Sequence, residues 1–552
     1  MTKINKNIIL FSGLSVIILW QMLLPGYVLT MDMIFAPQLL WDNFLNDGVA
    51  MSAMPLVYSL KFLNLFLSGW VIQKILLVFL FFFMSYSAFL FLPVSKKYGA
   101  NYWAALFYTV NPFVYERFLA GQLLLLYGYA LMPLFFYYLI KLAKDQKTKD
   151  GLALSLCLAL IGVFSSHFLI IAALISVVYL LFSFIKYLYL KDERVWPLAR
   201  GAFFSAIFFL AVSAYWLVPY FFYHSQSDIS SFNEGHWEAF QTCGDQTIGT
   251  ALNVLALYGF WGECEPWADY FLWSKTYLYF WIFFFVALFG LVASGIFYAL
   301  RKKEERNTAA LFLSVGVAGF ILSCGTGDTI FREINLFLFR HIGFWSGFRD
   351  TQKWSALLVL AYAYFGSIGV VAIVERVKNI NFQKYIIIIL FLIPALYTYT
   401  MWGGFARQLH SVWYPDSWIE VNEILIQDQD DFKILFLPWH SYFSLDFNQK
   451  LITANPAREF FGKKIIQADN VELGSVYRQG NNVENKTIES LVLNEEMTAD
   501  EITTEMDEKD IKYIIIIPST LKEDFFKYNF LNSQYLEVIY DQGDLKLFRI
   551  VI

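Results

Sequence analysis

The chain has 552 residues, of which 58% are hydrophobic, 20% aromatic and only 16% charged. A soluble globular protein carries about a quarter charged residues, so this composition excludes one and indicates a chain that crosses a bilayer several times. A formal net charge of −5 with no basic face argues against nucleic-acid binding, and four cysteines are too few for a disulfide framework.

A bilayer crossing needs about 20 apolar residues, and on that basis about eleven spans are predicted. They fall near 7–24, 72–92, 100–113, 121–140, 151–165, 168–188, 200–222, 276–300, 307–323, 354–374 and 384–402. The first, Asn7 to Leu24, reads as an uncleaved span because no small-residue cleavage motif follows it. Lys and Arg crowd into every second connector: Lys3/Lys6, Lys96/Lys97, Lys141/Lys144/Lys147/Lys149, Lys186/Lys191/Arg194/Arg200, Arg301/Lys302/Lys303/Arg306 and Arg376/Lys378/Lys384. By the positive-inside rule these clusters face the cytoplasm, with the N-terminus. The segments 25–60, 111–120, 223–275 and 324–353 are then external.

The first external segment carries Asp32 in Leu-Thr-Met-Asp-Met-Ile-Phe, and Asp42 follows. A carboxylate among apolar residues at a membrane surface is costly to ionise unless something pairs with it. It reads as a general base or a metal ligand, or else as an interfacial Asp capping a short helix. The second segment is Asn-Pro-Phe-Val-Tyr-Glu-Arg-Phe-Leu-Ala, where Glu116 and Arg117 either pair locally or orient an acceptor and bind a phosphate. The third is acidic and Trp-rich. Its Cys243 and Cys264 share the oxidising side and can form a disulfide, while Asp228, Glu234, Glu238 and Asp245 match no calcium loop.

The fourth segment runs against the charge trend with Arg332, Arg340, Arg349 and Lys353. Arg binds phosphate oxygens in bidentate fashion, so the cluster suits the head group of a lipid-linked phosphate. Pairing of Arg332 with Glu333 and of Arg349 with Asp350 is the plainer alternative. No His-x-x-x-His or Cys-x-x-Cys spacing marks a zinc site.

After Trp402 the composition turns mixed, and 403–552 is predicted as a small α/β domain. Phe432–Leu437 and Lys512–Ile517 read as buried strands, Thr498–Asp510 as an acidic amphipathic helix, and Tyr535–Tyr540 with Leu545–Ile550 as a hairpin around Asp-Gln-Gly-Asp. An odd number of spans places this domain outside.

Several strings together resemble a known group. They are the external Asp after the first span, Asn-Pro-Phe-Val-Tyr-Glu-Arg-Phe-Leu-Ala-Gly-Gln, Gly-Phe-Arg-Asp-Thr-Gln-Lys-Trp, Leu-Pro-Trp-His, and Lys-Tyr-Ile-Ile-Ile with Leu-Lys-Leu-Phe-Arg near the end. The chain resembles the YfhO-like bacterial and archaeal membrane proteins within the GT-C superfamily of membrane glycosyltransferases. The resemblance implies transfer of a sugar from a polyprenyl-phosphate carrier, within a membrane of ordinary lipids, to an extracytoplasmic glycan, lipid or protein acceptor. It maps the base or metal-binding acid onto Asp32 and the carrier phosphate onto Arg117 or Arg349, and the C-terminal domain would then present the acceptor, with Trp439 and His440, just past the first strand, as sugar contacts. A divalent cation, Mg or Mn, would enter with the paired acidic Asp-x-Asp or Glu-x-Asp element of some members, which the external loops here lack. A lipid or glycan transporter, or a non-catalytic scaffold for envelope polysaccharide assembly, is the rival expectation. Transporters place charge at the bilayer midplane, whereas these spans are nearly free of it.

Overall fold

The computed structural model describes residues 6–39, 50–222, 234–265, 274–473, 476–480, 482–521 and 528–552. The chain divides into two units: Met1–Trp20, Asn43–Ser59 and Ile75–Gln408 form the first, and Gln21–Asp42, Leu60–Lys74 and Leu409–Ile552 the second.

Helices dominate the chain up to residue 397. In order they are α1 (Lys6–Leu19), α2 (Met54–Asn64), α3 (Gly69–Phe91), α4 (Ala100–Thr109), α5 (Pro112–Leu119), α6 (Leu123–Asp145), α7 (Thr148–Phe164), α8 (Ser166–Tyr189), α9 (Val195–Phe222), α10 (Glu234–Ala239), α11 (Gly249–Leu255), α12 (Leu278–Arg301), α13 (Arg306–Ser323), α14 (Arg332–His341), α15 (Ser355–Val374) and α16 (Ile380–Tyr397). Among the described residues nine helical segments are long and apolar enough to cross a membrane. The predicted spans at 151–165 and 100–113 are not among these nine; they correspond to α7, with 17 residues, and α4, with 10. At 1.5 Å per residue α4 is about 15 Å long, half a bilayer core. Asn111-Pro112 breaks it there, and α5 continues the chain.

Helix α15 is the hub of the first unit, with nearly every side chain buried. In lipid there is little hydrophobic drive between helices, so close backbone approach and small residues carry the packing. Gly295 of α12 and Gly369 of α15 are placed for that. A methyl group on the first would run into Phe365 O, and on the second into Leu291 O.

The second unit carries β1 (Lys433–Leu437), β2 (Tyr442–Ser444), β3 (Ile452–Ala454), β4 (Lys464–Ile466), β5 (Val471–Leu473), β6 (Val476–Arg478), β7 (Ile511–Ile516), β8 (Leu536–Gln542) and β9 (Leu545–Ile550). Five of them form a sheet in the order β4-β1-β7-β9-β8. Strands β4, β1 and β7 run parallel, with Leu435 opposite Ile466 and Ile514. Their continuous apolar runs are what a strand covered on both faces requires. Helices Val483–Val492 and Ala499–Asp507 bring Ile488, Leu491, Ile502 and Met506 onto the core around Leu435, Leu437 and Ile514. Thr498 and Glu501 close a capping box at the start of the second helix. The predicted hairpin is β8–β9, turning at Gly543 with φ +62°.

The segment after α1 belongs to this second unit. Tyr27 bridges Val412, and Met31 pairs with Thr453 of β3, its N–H donating to Ile452 O at 2.9 Å. Asn448 Nδ2 donates to Leu29 O at 3.1 Å, and Tyr414 donates its hydroxyl to Phe35 O at 3.0 Å.

Candidate functional site

The interior of the first unit holds a charged cluster that begins with the helix break. Asn111 caps α5 by accepting from Val114 N at 3.1 Å, while its Nδ2 donates to Phe107 O and Tyr108 O at the end of α4. One side chain thus ties both helix ends, and Pro112 takes the first helical position, where its missing N–H costs nothing. All of α5 is buried.

Arg117 and Glu116 are both fully buried as a result. Arg117 donates Nη1 and Nη2 to the two carboxylate oxygens of Asp350, Nε and Nη2 to Gln352 Oε1, and Nη1 to Gln122 Oε1. A guanidinium has five N–H donors, so none is left over. Its faces are covered by Phe260, 4.9 Å from the ring centre, and Phe113. The expectation that Arg117 seats a carrier phosphate is therefore corrected. It is a structural clamp, because every donor a phosphate would use is committed.

The string Gly-Phe-Arg-Asp-Thr-Gln-Lys-Trp supplies the other half of the clamp. Gln352 Nε2 donates to Glu116 Oε2 at 3.0 Å, and Thr351 and Thr242 hydroxyls lie 3.0 Å apart. Lys353 Nζ lies 3.2 Å from His167 Nε2 and 3.8 Å from Asp350. Burial alone would raise the Asp350 carboxyl, but Arg117 and then Lys353 hold it down at about 2. Asp350 thus pairs with Arg117, and Arg332 with Glu238 at 3.7 Å, rather than with their sequence neighbours. Adjacent residues on a helix or turn point in different directions.

On its far side Glu116 faces Glu263. Glu116 Oε1 receives no donor, so two carboxylates adjoin there only if one keeps its proton. Burial, reinforced by Glu263, raises the Glu116 carboxyl well above the usual range. Glu263 accepts from Gly259 N at 2.7 Å and Asn253 Nδ2 at 3.1 Å, and Lys275 pairs with both Asp245 and Glu263. Glu116 is hence an interior group and does not present its carboxylate to an acceptor or a cation, which corrects that expectation also. Cys243 and Cys264 are joined in a disulfide, with Cα atoms 5.7 Å apart.

The remaining predicted residues of this unit lie outside the clamp. Arg349 is half-buried over the Phe240 ring at 4.4 Å. Arg340 is exposed near the end of α14. Sequence reasoning passed over Gln352, Glu263 and Lys275. Their signal was position, since all three are polar residues within a few places of a span start or a cysteine.

In the second unit, Thr30 and Met33 exchange backbone hydrogen bonds across a two-residue turn. Asp32 occupies its tip and is exposed, while Met31 and Met33 are buried. Met31 sits at φ +36°, a region that non-glycine residues occupy at a cost. Tyr442 donates its hydroxyl to Asp32 Oδ1 at 2.7 Å. Asp42 lies outside the described residues. Trp439 is wholly buried and donates Nε1 to Glu489 at 3.1 Å. As a sugar contact it is corrected, since an enclosed indole offers no face. His440 is partly exposed at the carboxyl end of β1, with Nδ1 2.7 Å from Glu472. Among the described residues no three His, Cys, Asp or Glu side chains converge as a metal site.

No protein-family profile and no curated protein matches the chain. Solved structures do. The chain is similar to arabinofuranosyltransferase AftD from Mycobacteria, with 13% identity and a TM-score of 0.66 over 99% of this chain and 40% of that one. A mutant form of AftD gives 12% identity and a TM-score of 0.62, covering 99% and 42%. ArnT from Cupriavidus metallidurans matches at 12% identity and a TM-score of 0.45, covering 98% and 97%. The chain thus spans about two fifths of AftD. It is a multi-pass, mostly helical protein with a strand-containing C-terminal unit, and its fold is similar to that of AftD.

Proposed function

We propose that this chain is a membrane glycosyltransferase that moves a sugar from a polyprenyl-phosphate carrier to an extracytoplasmic glycan, lipid or protein acceptor. The observation that carries the reading is the placement of Asp32. A strained, backbone-paired turn pushes this one carboxylate out of an otherwise buried apolar segment and holds it with Tyr442. Strain persists only where surrounding structure over-determines it, and functional sites are where it collects. The cationic connectors assign the N-terminus to the cytoplasm and the loops at the other ends of the spans to the exterior.

Transfer has two chemical requirements. A base must take the proton of the acceptor hydroxyl as that oxygen bonds to the anomeric carbon; Asp32 supplies it, and inversion follows. Charge must be neutralised on the phosphate that leaves with the carbon–oxygen electron pair, and the guanidinium groups of Arg349 and Arg340 have the chemistry for that. Lys353, engaged with His167 and Asp350, orients the segment that carries Arg349. His440, braced by Glu472, is a contact for the acceptor.

The test is transfer from labelled polyprenyl-phosphate sugars by the purified chain in nanodiscs. Asp32→Asn should lower the rate by about 10²–10⁴-fold, the usual weight of a general base, with the melting temperature unchanged. Full activity in that variant sinks the assignment.

A further inference from the structure

The opening residues of α3 turn one helix face toward the segment that carries Asp32. Trp70, Gln73 and Lys74 stand at i, i+3 and i+4, so their side chains share that face. Residues 60–74 belong to the same unit as 21–42 and 409–552. Gln73 is wholly buried, and its amide copies a peptide group: Oε1 accepts from Val28 N at 2.9 Å, and Nε2 donates to Val28 O at 2.7 Å. Lys74, 8% exposed, donates Nζ to Ser411 Oγ at 3.0 Å, and that hydroxyl donates to Leu24 O at 2.9 Å. A cation is favoured there, because Leu24 follows the helical residues Trp20–Leu23 and the carbonyls at a helix end carry negative charge. Trp70 packs edge-on against Trp413, with ring centres 5.9 Å apart.

These contacts straddle the backbone bridge between Tyr27 and Val412. Val28 is gripped on one side of it, Ser411 and Trp413 on the other. The same helix start also reaches the far flank of Asp32. Gly69 lies so close to Ala36 that a methyl group on it would come within 2.1 Å of Ala36 O. Val28 stands four residues before Asp32 and Ala36 four after it. The start of α3 therefore pins both arms of the bend that presents the carboxylate.

Polar and charged side chains at the start of a membrane span are costly, and they mark function. Here the amide does what an apolar side chain cannot: it fixes one backbone position in register, with both hydrogen bonds met. Met31 holds φ +36° between these arms, and such strain persists only where the surroundings over-determine it. We propose that Gln73 and Lys74 are positioning residues for Asp32. With Gly69 they tie the arms of its bend to α3, so that the carboxylate meets the acceptor hydroxyl at one fixed distance. The role rests on the transferase reading for what Asp32 does, and it concerns where the base is held.

Two readouts on the full chain in nanodiscs test it: amide hydrogen exchange over residues 27–33, and kcat and KM for transfer from labelled polyprenyl-phosphate sugars. Gln73→Leu orphans both Val28 backbone groups, so exchange over 27–33 should rise while β7 stays protected. Its kcat should fall about 10²-fold, the weight of a misplacement on the order of 1 Å, with KM for donor and acceptor unchanged. Gln73→Glu keeps the size and the acceptor for Val28 N, and its kcat should lie between those of the parent and Gln73→Leu. Lys74→Met keeps the packing and serves if Gln73→Leu does not fold; its kcat should fall about tenfold, the equivalent of one lost hydrogen bond. A rise in KM in place of the fall in kcat, or faster exchange with kcat intact, overturns the positioning role. A transferring parent whose variants change neither readout overturns it too and leaves the transferase reading standing. A parent that transfers no sugar, with exchange responding as stated, removes the transferase reading and leaves α3 holding the segment.

Discussion

Arg117 and Asp350, 233 residues apart, close a fully buried two-point ion pair that docks α5 against the turn leading into α15. The two strings that most strongly carry the family resemblance are thereby one structural object. Each contributes side chains that bond to the other: Arg117 to Asp350 and Gln352, and Gln352 to Glu116.

Breaking that pair should be expensive. Removing one partner of a buried ion pair leaves the other charge uncompensated, at a cost of about 3–5 kcal/mol. Arg117→Ala is expected to lower the melting temperature in detergent sharply, and Arg117→Lys to recover little, since an ammonium cannot reproduce the five-bond fork. The Arg117→Ala, Asp350→Ala double variant should be more stable than Arg117→Ala alone. A single variant that melts like the parent would show that the pair does not hold α5 in place.

Glu116 predicts a pH dependence of stability. Its carboxyl is raised in the folded chain above the ordinary glutamate value of 4.5. The contribution of the neutral buried group is thus full below 4.5 and is lost as pH rises through the raised value. Asp350 acts in the opposite sense: its contribution is present above 3.8 and lost as pH falls toward about 2. Glu116→Gln should flatten the alkaline limb of the melting-temperature profile and leave the acid limb in place. A parent and variant with superimposable alkaline limbs would contradict the protonated state.

The Cys243–Cys264 bridge closes a loop with a sequence separation of 21, for which chain entropy suggests roughly 3 kcal/mol. Reduction, or Cys243→Ser, should raise amide hydrogen exchange across the described residues 243–265 while α15 stays protected. Identical exchange before and after reduction would mean that Glu263 and Lys275 alone order the loop.

In the proposed transfer, Tyr442 positions Asp32 through its 2.7 Å hydrogen bond. Tyr442→Phe removes one exposed hydrogen bond, so the fold should be unaffected within about 0.5 kcal/mol. The transfer rate should fall about tenfold, mainly in kcat, if a lost bond worth roughly 1–1.5 kcal/mol orients the base. A pure rise in KM would instead make Tyr442 a substrate contact.

Much of the architecture was legible before any coordinates. Apolar runs located the helices, because a bilayer demands length and hydrophobicity that composition displays directly. Strands β1, β7, β8 and β9 were visible for a similar reason, as short apolar runs between polar boundaries. The misses were of another kind. Span 100–113 looked continuous because periodicity does not register that Asn111 and Pro112 end one helix and begin another. The segment 25–39 looked like a free loop because its strand partners, Val412 and Thr453, lie far along the chain.

The sequence by itself determined the class of this protein: the solvent it lives in, the approximate path of its spans, the expected sidedness, and which residue types could do chemistry. Tertiary structure alone decided which surroundings those residues have. Arg117 and Arg349 are the same side chain in similar apolar settings, yet one spends every donor on Asp350, Gln352 and Gln122 while the other lies half-buried over Phe240. Burial and partner choice depend on contacts between residues hundreds of places apart, and no local pattern encodes them.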